Sequence, residues 1–115
     1  MIDTHQEGGA VFECRLEFAD DSARIVPIGE IDVETASIVN ERLEDVRDVG
    51  FGRVVLDLGE TTFIDSTGLH LAVAWHDRAR RDGFTFGLTR GPYVVQRTFD
   101  AAGIGATLNF VGAAP

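Results

Sequence analysis

From Val11 to Phe18 apolar and polar residues alternate, with Phe12, Cys14, Leu16 and Phe18 on one face and Glu13, Arg15 and Glu17 on the other. A period of two with one wet side predicts a half-buried strand. Asp20-Asp21-Ser22 supplies a turn, and Ala23 to Ile28 returns as a second strand, so the segment reads as a hairpin. Pro27 has no N–H, which obliges its strand to leave that position unpaired or to bulge beside it. Gly29-Glu30-Ile31-Asp32 interrupts the strand, and the period then changes. Ala36, Val39, Leu43 and Val46 recur at helical spacing between Val33 and Val49, with Asp32 as N-cap and Gly50 and Gly52 as the stop. Arg53 to Leu58 is nearly continuous in apolar character, the mark of an interior strand.

The pattern repeats twice more. A second helix spans Ser66 to Arg81 and ends before Gly83; Phe84 to Leu88 is a fourth strand. Gly91-Pro92 opens a third helix, with Val95, Phe99 and Ala102 on one stripe and Gly103-Ile104 as its cap. Leu108 to Val111 is short and strand-like. The order β-β-α-β-α-β-α-β implies an α/β domain with a mixed sheet, parallel in its later strands. At 115 residues the chain can bury one core, here residues 10–111, between a flexible N-terminal tail, 1–9, and a C-terminal tail, 112–115.

Charge narrows the partners. The formal net charge is −9, and all ten basic residues are arginine. Such a chain repels nucleic-acid phosphates and anionic headgroups, while a basic protein surface suits it. No apolar run approaches the ~20 residues that span a bilayer, and Met1 to Gly9 lacks the basic and apolar regions of a signal peptide. The expectation is a cytoplasmic protein without direct membrane insertion. The single cysteine, Cys14, is expected as a buried thiol.

Catalytic readings fail in turn. A nucleophile elbow needs glycine two positions before the serine, where Ser66 has Ile64. Ser66 and His70 are four apart, yet lack an orienting acid and an oxyanion site. His70 and His76 fall on different helix faces and His5 lies in the tail, so no metal set forms. No Walker loop or dinucleotide fingerprint occurs. The chain therefore reads as a non-enzyme without a cofactor. Asp57, a charge inside the apolar strand, is expected to accept hydrogen bonds from the loop after it. Leu69 to Trp75 is apolar on two stripes; Trp75 either packs against a neighbouring helix or belongs to a docking surface. Ser66 stands at a helix N-terminus, where unpaired N–H groups favour negative charge; it either caps the helix or accepts a phosphate.

Gly29-Glu30-Ile31-Asp32 with Thr35-Ala36, Val54-Val55-Leu56-Asp57-Leu58, and Phe63-Ile64-Asp65-Ser66-Thr67-Gly68-Leu69 together resemble, in order and spacing, the STAS domain of bacterial anti-sigma-factor antagonists. The resemblance runs from about residue 10 to 111, and the last block is its most specific part. It implies a single STAS domain with a four- to five-stranded mixed sheet and three main helices. It also implies a partner that is both an anti-sigma factor and a serine kinase, bound by the unphosphorylated form and released when Ser66 is phosphorylated. A phosphatase would reset the cycle. By position Ser66 is the phospho-acceptor and Asp32 and Asp65 its acidic neighbours. Glu30, Thr67 and Gly68 complete the partner-binding neighbourhood, and Thr67 is the alternative acceptor. Another class of function open to such a domain is a non-switching STAS subunit of a transport or regulatory complex.

Overall fold

The computed structural model describes residues 2–7 and 10–111, with side chains from Phe12 to Val111. Seven strands and three helices follow one another as β1 (Ile2–Glu7), β2 (Ala10–Ala19), β3 (Ser22–Ile31), α1 (Val33–Val49), β4 (Arg53–Asp57), β5 (Thr61–Ile64), α2 (Ser66–Asp82), β6 (Thr85–Thr89), α3 (Tyr93–Ala101) and β7 (Phe110–Val111). The sheet order is β1-β2-β3-β4-β6-β7, with β5 also pairing β3. β1–β2 and β2–β3 are antiparallel, and the other pairs are parallel. The mixed α/β architecture is the expected one. Its sheet is larger than four or five strands, for two reasons that lie at the start of the chain and at the site.

First, Ile2–Glu7 is a strand and not a tail, paired in register from Ile2↔Arg15 to Glu7↔Ala10. Main-chain pairing requires no apolar alternation, so the polar composition of this segment hid it. Second, β3 does not end at Ile28. It continues to Ile31 through an irregularity between Gly29 and Glu30, where Gly29 takes φ 121°, and this distal half pairs with the short β5. Pro27 is thereby accommodated. Register with β4 covers Ser22 to Ile25, and register with β5 begins at Gly29. The Pro27 carbonyl accepts from Thr61 Oγ1 at 3.2 Å on that side. In a strand a residue's N and C=O share an edge, so the missing N–H faces the gap between β4 and β5.

One apolar cluster joins the inward sheet face (Phe12, Cys14, Leu16, Ile25, Leu56, Leu88) to the helices through Val39, Leu43, Trp75 and Phe99. Val95 and Phe99 bury the stripe expected of α3, whereas Ala102 is exposed beyond its end. Trp75 belongs to this core: Nε1 donates to Asn40 Oδ1 at 2.8 Å, and Phe84 meets the ring edge-on. Packing, not docking, is its role.

The opposite sheet face carries a charged clamp. Asp57 Oδ2 accepts from Arg24 at 2.7 Å, while its Oδ1 accepts from Thr89 Oγ1 at 2.7 Å and from the Gly59 N–H at 2.9 Å. Three strands and the following loop are tied at one carboxylate. Burial pushes the Asp57 carboxyl up, but the bonds from Thr89, Gly59 and Arg24 outweigh it and hold it below its ordinary value. A depressed folded-state value means that the stabilisation is present above the unfolded value near 4 and is lost as pH falls through the folded one. Asp57→Asn should therefore cost about 2 kcal/mol at pH 7, the scale of hydrogen bonds to a charged group. Its deficit against the wild type should shrink below about pH 4. Urea titrations of both proteins at pH 7, 4 and 3 check this, and a deficit independent of pH would exclude the ionised clamp as its source.

Candidate functional site

β3 and β5 end side by side, and their last residues decide the site. Glu30 is in register with Phe63 and Ile31 with Ile64, and the Asp65 N–H donates to the Ile31 carbonyl at 3.1 Å. Each strand is followed at once by a capping carboxylate and a helix, so the N-termini of α1 and α2 lie together at one end of the sheet.

Asp32 caps α1. Its Oδ1 accepts from the N–H groups of Glu34 and Thr35, both at 3.0 Å, and Thr35 Oγ1 accepts from the Asp32 N–H at 2.9 Å. This reciprocal pair is a capping box with threonine in the place of the usual glutamate or glutamine. The bond from the Thr35 N–H, with the others, holds the Asp32 carboxyl below its ordinary value. Asp65 caps α2, its Oδ1 accepting from the N–H of Thr67 at 2.9 Å and of Gly68 at 3.3 Å.

Ser66 is therefore not the cap. It is the first residue of α2, exposed, and its hydroxyl forms no hydrogen bond with any described residue. Of the two roles open to it, capping is taken by its neighbour. Thr67 is half-buried, and Gly68 is buried against Ile64 and Ile31. Gly68 thus positions the helix start and offers no surface to a partner. Glu30 is exposed at the rim. Periodicity left two exposed apolar residues of this end unassigned. Val33 is 70% exposed beside Asp32, and Phe63 is 43% exposed opposite Glu30. Phe63 had a signal, an aromatic three residues before the serine, but it reads as loop until β5 is known. His70 is exposed one turn further along α2. Among the described residues no group of three or more His, Cys, Asp or Glu could hold a metal ion, and no helix is long and apolar enough to cross a membrane.

The end of the molecule thus presents an unengaged hydroxyl beside two locked carboxylates, with apolar side chains at the margin. Such an arrangement can gain or lose charge at one atom while the caps keep both helices in place.

The chain belongs to the STAS domain family, whose family model matches residues 15–111. No curated protein matches the sequence. Among solved structures, a Thermotoga maritima protein classed as an anti-sigma factor antagonist superposes with a TM-score of 0.78 at 20% identity, covering 88% of this chain and 86% of that one. The anti-sigma factor antagonist SpoIIAA, in its unphosphorylated form, gives 0.73 at 17% identity with 88% of each chain covered. An anti-sigma factor antagonist from Mycobacterium paratuberculosis gives 0.73 at 24% identity, covering all of this chain and 87% of that one. These likenesses establish the fold in common.

Proposed function

We propose that this protein is an anti-sigma-factor antagonist controlled by phosphorylation of Ser66. In its unphosphorylated form it binds, in the cytoplasm, an anti-sigma factor that is also a serine kinase; phosphorylation releases it, and a phosphatase restores it. The observation that carries this reading is the free, exposed Ser66 hydroxyl at a helix start whose capping is done by Asp65. A serine kept only for local stability would be bonded to the helix, and this one is not. The fold shared with antagonists, one of them described by its phosphorylation state, supports the same role. Thr67 is the weaker acceptor, since it is half-buried on the wall of the groove between α1 and α2, whereas Ser66 is exposed.

Phosphorylation adds about −1.5 to −2 charges. The N–H groups of Thr67 and Gly68 are already taken by Asp65, so the new group adds its charge to that of Asp65 without their neutralisation. A partner surface fitted to a neutral hydroxyl then faces a cluster of like charges. The test is affinity capture of the full chain from extract of its native cell, with mass spectrometry of the captured material. The expected result is an ATP-dependent kinase in the complex and phosphate on Ser66, not Thr67. Capture of a membrane transporter with Ser66 unmodified would establish instead the non-switching subunit.

A further inference from the structure

At the other end of α1 the helix layer stops short of the sheet. Phe18 extends the inward row of Phe12, Cys14 and Leu16 on β2, but α1 ends at Val49 and leaves the ring 53% exposed. Phe18 stacks on Phe51 with centroids 5.2 Å apart and planes within 16°, and Val49 beside them is 77% exposed. Leu16, Val46 and Asp45 complete an open groove lined by five apolar side chains and one carboxylate. Apolar surface concentrated this way, inside a polar rim, marks a contact site more than a scattered exposed leucine does.

The rim is acidic. Asp20 and Asp21 form the turn after Phe18, where Asp20 takes the left-handed φ of 52°; Asp48 precedes Val49. Asp45 is paired with Arg42 at 3.2 Å, whereas Asp20 and Asp48 have no ion-pair partner among the described residues. Arg47 is engaged: its guanidinium lies over the Phe84 ring and donates to the Phe51 carbonyl. The exposed Arg53 lies on the opposite sheet face, where it lines with Arg24 another groove, one that Phe18 also borders.

We propose that this groove is a second docking surface, for a protein segment that presents apolar side chains flanked by arginine or lysine. The unpaired carboxylates select the flanks, and Phe18, Phe51 and Val49 take the apolar part. A second copy of this chain is the poorer occupant, because a two-fold contact sets the same acidic rim against itself. The 17 residues of α1 separate the groove from the Ser66 end by about 25 Å. A segment seated here leaves Ser66 open, so the two surfaces can be occupied together.

The experiment is an NMR titration of the 15N-labelled full chain with two ten-residue peptides. Both carry a central Phe-Leu pair, one flanked on each side by two arginines and the other by two glutamates. The arginine peptide should give saturable shifts confined to residues 16–21 and 45–51. The glutamate peptide should bind at least tenfold more weakly, with the difference narrowing in high salt. Phe18→Ser and Val49→Ser, at exposed positions that leave folding intact, should each weaken the arginine peptide by tenfold or more. Ser66→Asp should leave its binding unchanged, which separates this surface from the phosphorylation site. Equal binding of both peptides, or no saturable shift, overturns the proposal. So does reproduction of the same shifts by raising the protein concentration alone, with a dimer in sedimentation, since that makes the groove a contact between copies.

Discussion

Ser66→Asp should fold as well as the wild-type chain and lose most of its affinity for the proposed kinase partner. The position is exposed, and Asp65 already supplies the cap, so neither Ser66→Asp nor Ser66→Ala should change stability by more than about 0.5 kcal/mol. Replacing a serine that caps a helix costs about 0.5–2 kcal/mol; with Asp65 as the cap that cost is absent. A carboxylate at the first helical residue is also favoured by the helix dipole. Binding separates the two variants. In a desolvated interface the new carboxylate stands beside Asp65 without a counter-charge, and an uncompensated buried charge costs several kcal/mol. At about 1.4 kcal/mol per decade, a hundredfold or greater loss is expected. Ser66→Ala should bind at least as tightly as the wild type and resist release, because it has no acceptor. Calorimetric titration of each variant into the cognate kinase with nucleotide present, beside thermal melts, gives both quantities. Equal affinity of the two variants would falsify the phospho-switch while leaving the fold assignment intact.

The elements that were legible in the sequence are those whose ends are set by local chemistry. α1 runs from Val33 to Val49 as the periodicity indicates, because Asp32 closes a capping box at one end and Gly50, at φ 111°, turns the chain at the other. β2, β4 and the body of α2 follow their apolar patterns for the same reason. The strands that periodicity passed over are held by pairing alone. β5 has four residues, and its middle pair, Thr62 and Phe63, is exposed between buried Thr61 and Ile64, so it shows no alternation to detect. Its existence depends on the distal half of β3, which in turn looks like a turn because Gly29 sits at its irregularity. Neither segment declares itself without the other.

The site divides along the same line. Asp32 is legible as a cap and Ser66 as a helix start because both signals are local, whereas Asp65 enters only through the resemblance to the family. Which of two adjacent cap-forming residues would cap α2 was not legible. β5 ends at Ile64 and leaves one extended residue before the helix, so Asp65 takes the cap at φ −104°, ψ −173° and Ser66 is already helical. Trp75 shows the limit of a periodic pattern from the other direction. Two apolar stripes on α2 fit a buried helix and a docking helix equally; the bond to Asn40, on α1, settles the choice.

Gly68 should be the least replaceable residue of the site, although it is buried. A Cβ built there meets Ile64 Cγ1 in outright overlap, Ile64 Cδ1 at 2.8 Å and Ile31 Cγ2 at 2.9 Å. Two effects then compete in Gly68→Ala. Alanine is the better helix former by about 1 kcal/mol, whereas forcing a methyl into a packed site costs about 1–3 kcal/mol. The obstructing atoms belong to the two β-branched residues that end β3 and β5, whose χ1 is stiff, so the steric term should prevail and the variant should be destabilised by about 1 kcal/mol. Gly68→Val, with two further methyls, should lose about 3 kcal/mol. Relief, where it occurs, must come from lifting the first turn of α2 off the sheet, and that displaces Ser66 two residues earlier. Loss of stability should hence be accompanied by slower phosphorylation by the proposed kinase partner, even where the protein remains folded at the assay temperature. The cause is isolated by Ile64→Ala, which removes both Cγ1 and Cδ1. In that background Gly68→Ala should become neutral or stabilising, with a coupling of about 1 kcal/mol or more, as expected for residues in direct contact. Thermal and urea melts of the two single variants and the double variant close the cycle. If the two effects simply add, Ile64 is not what excludes a side chain at position 68.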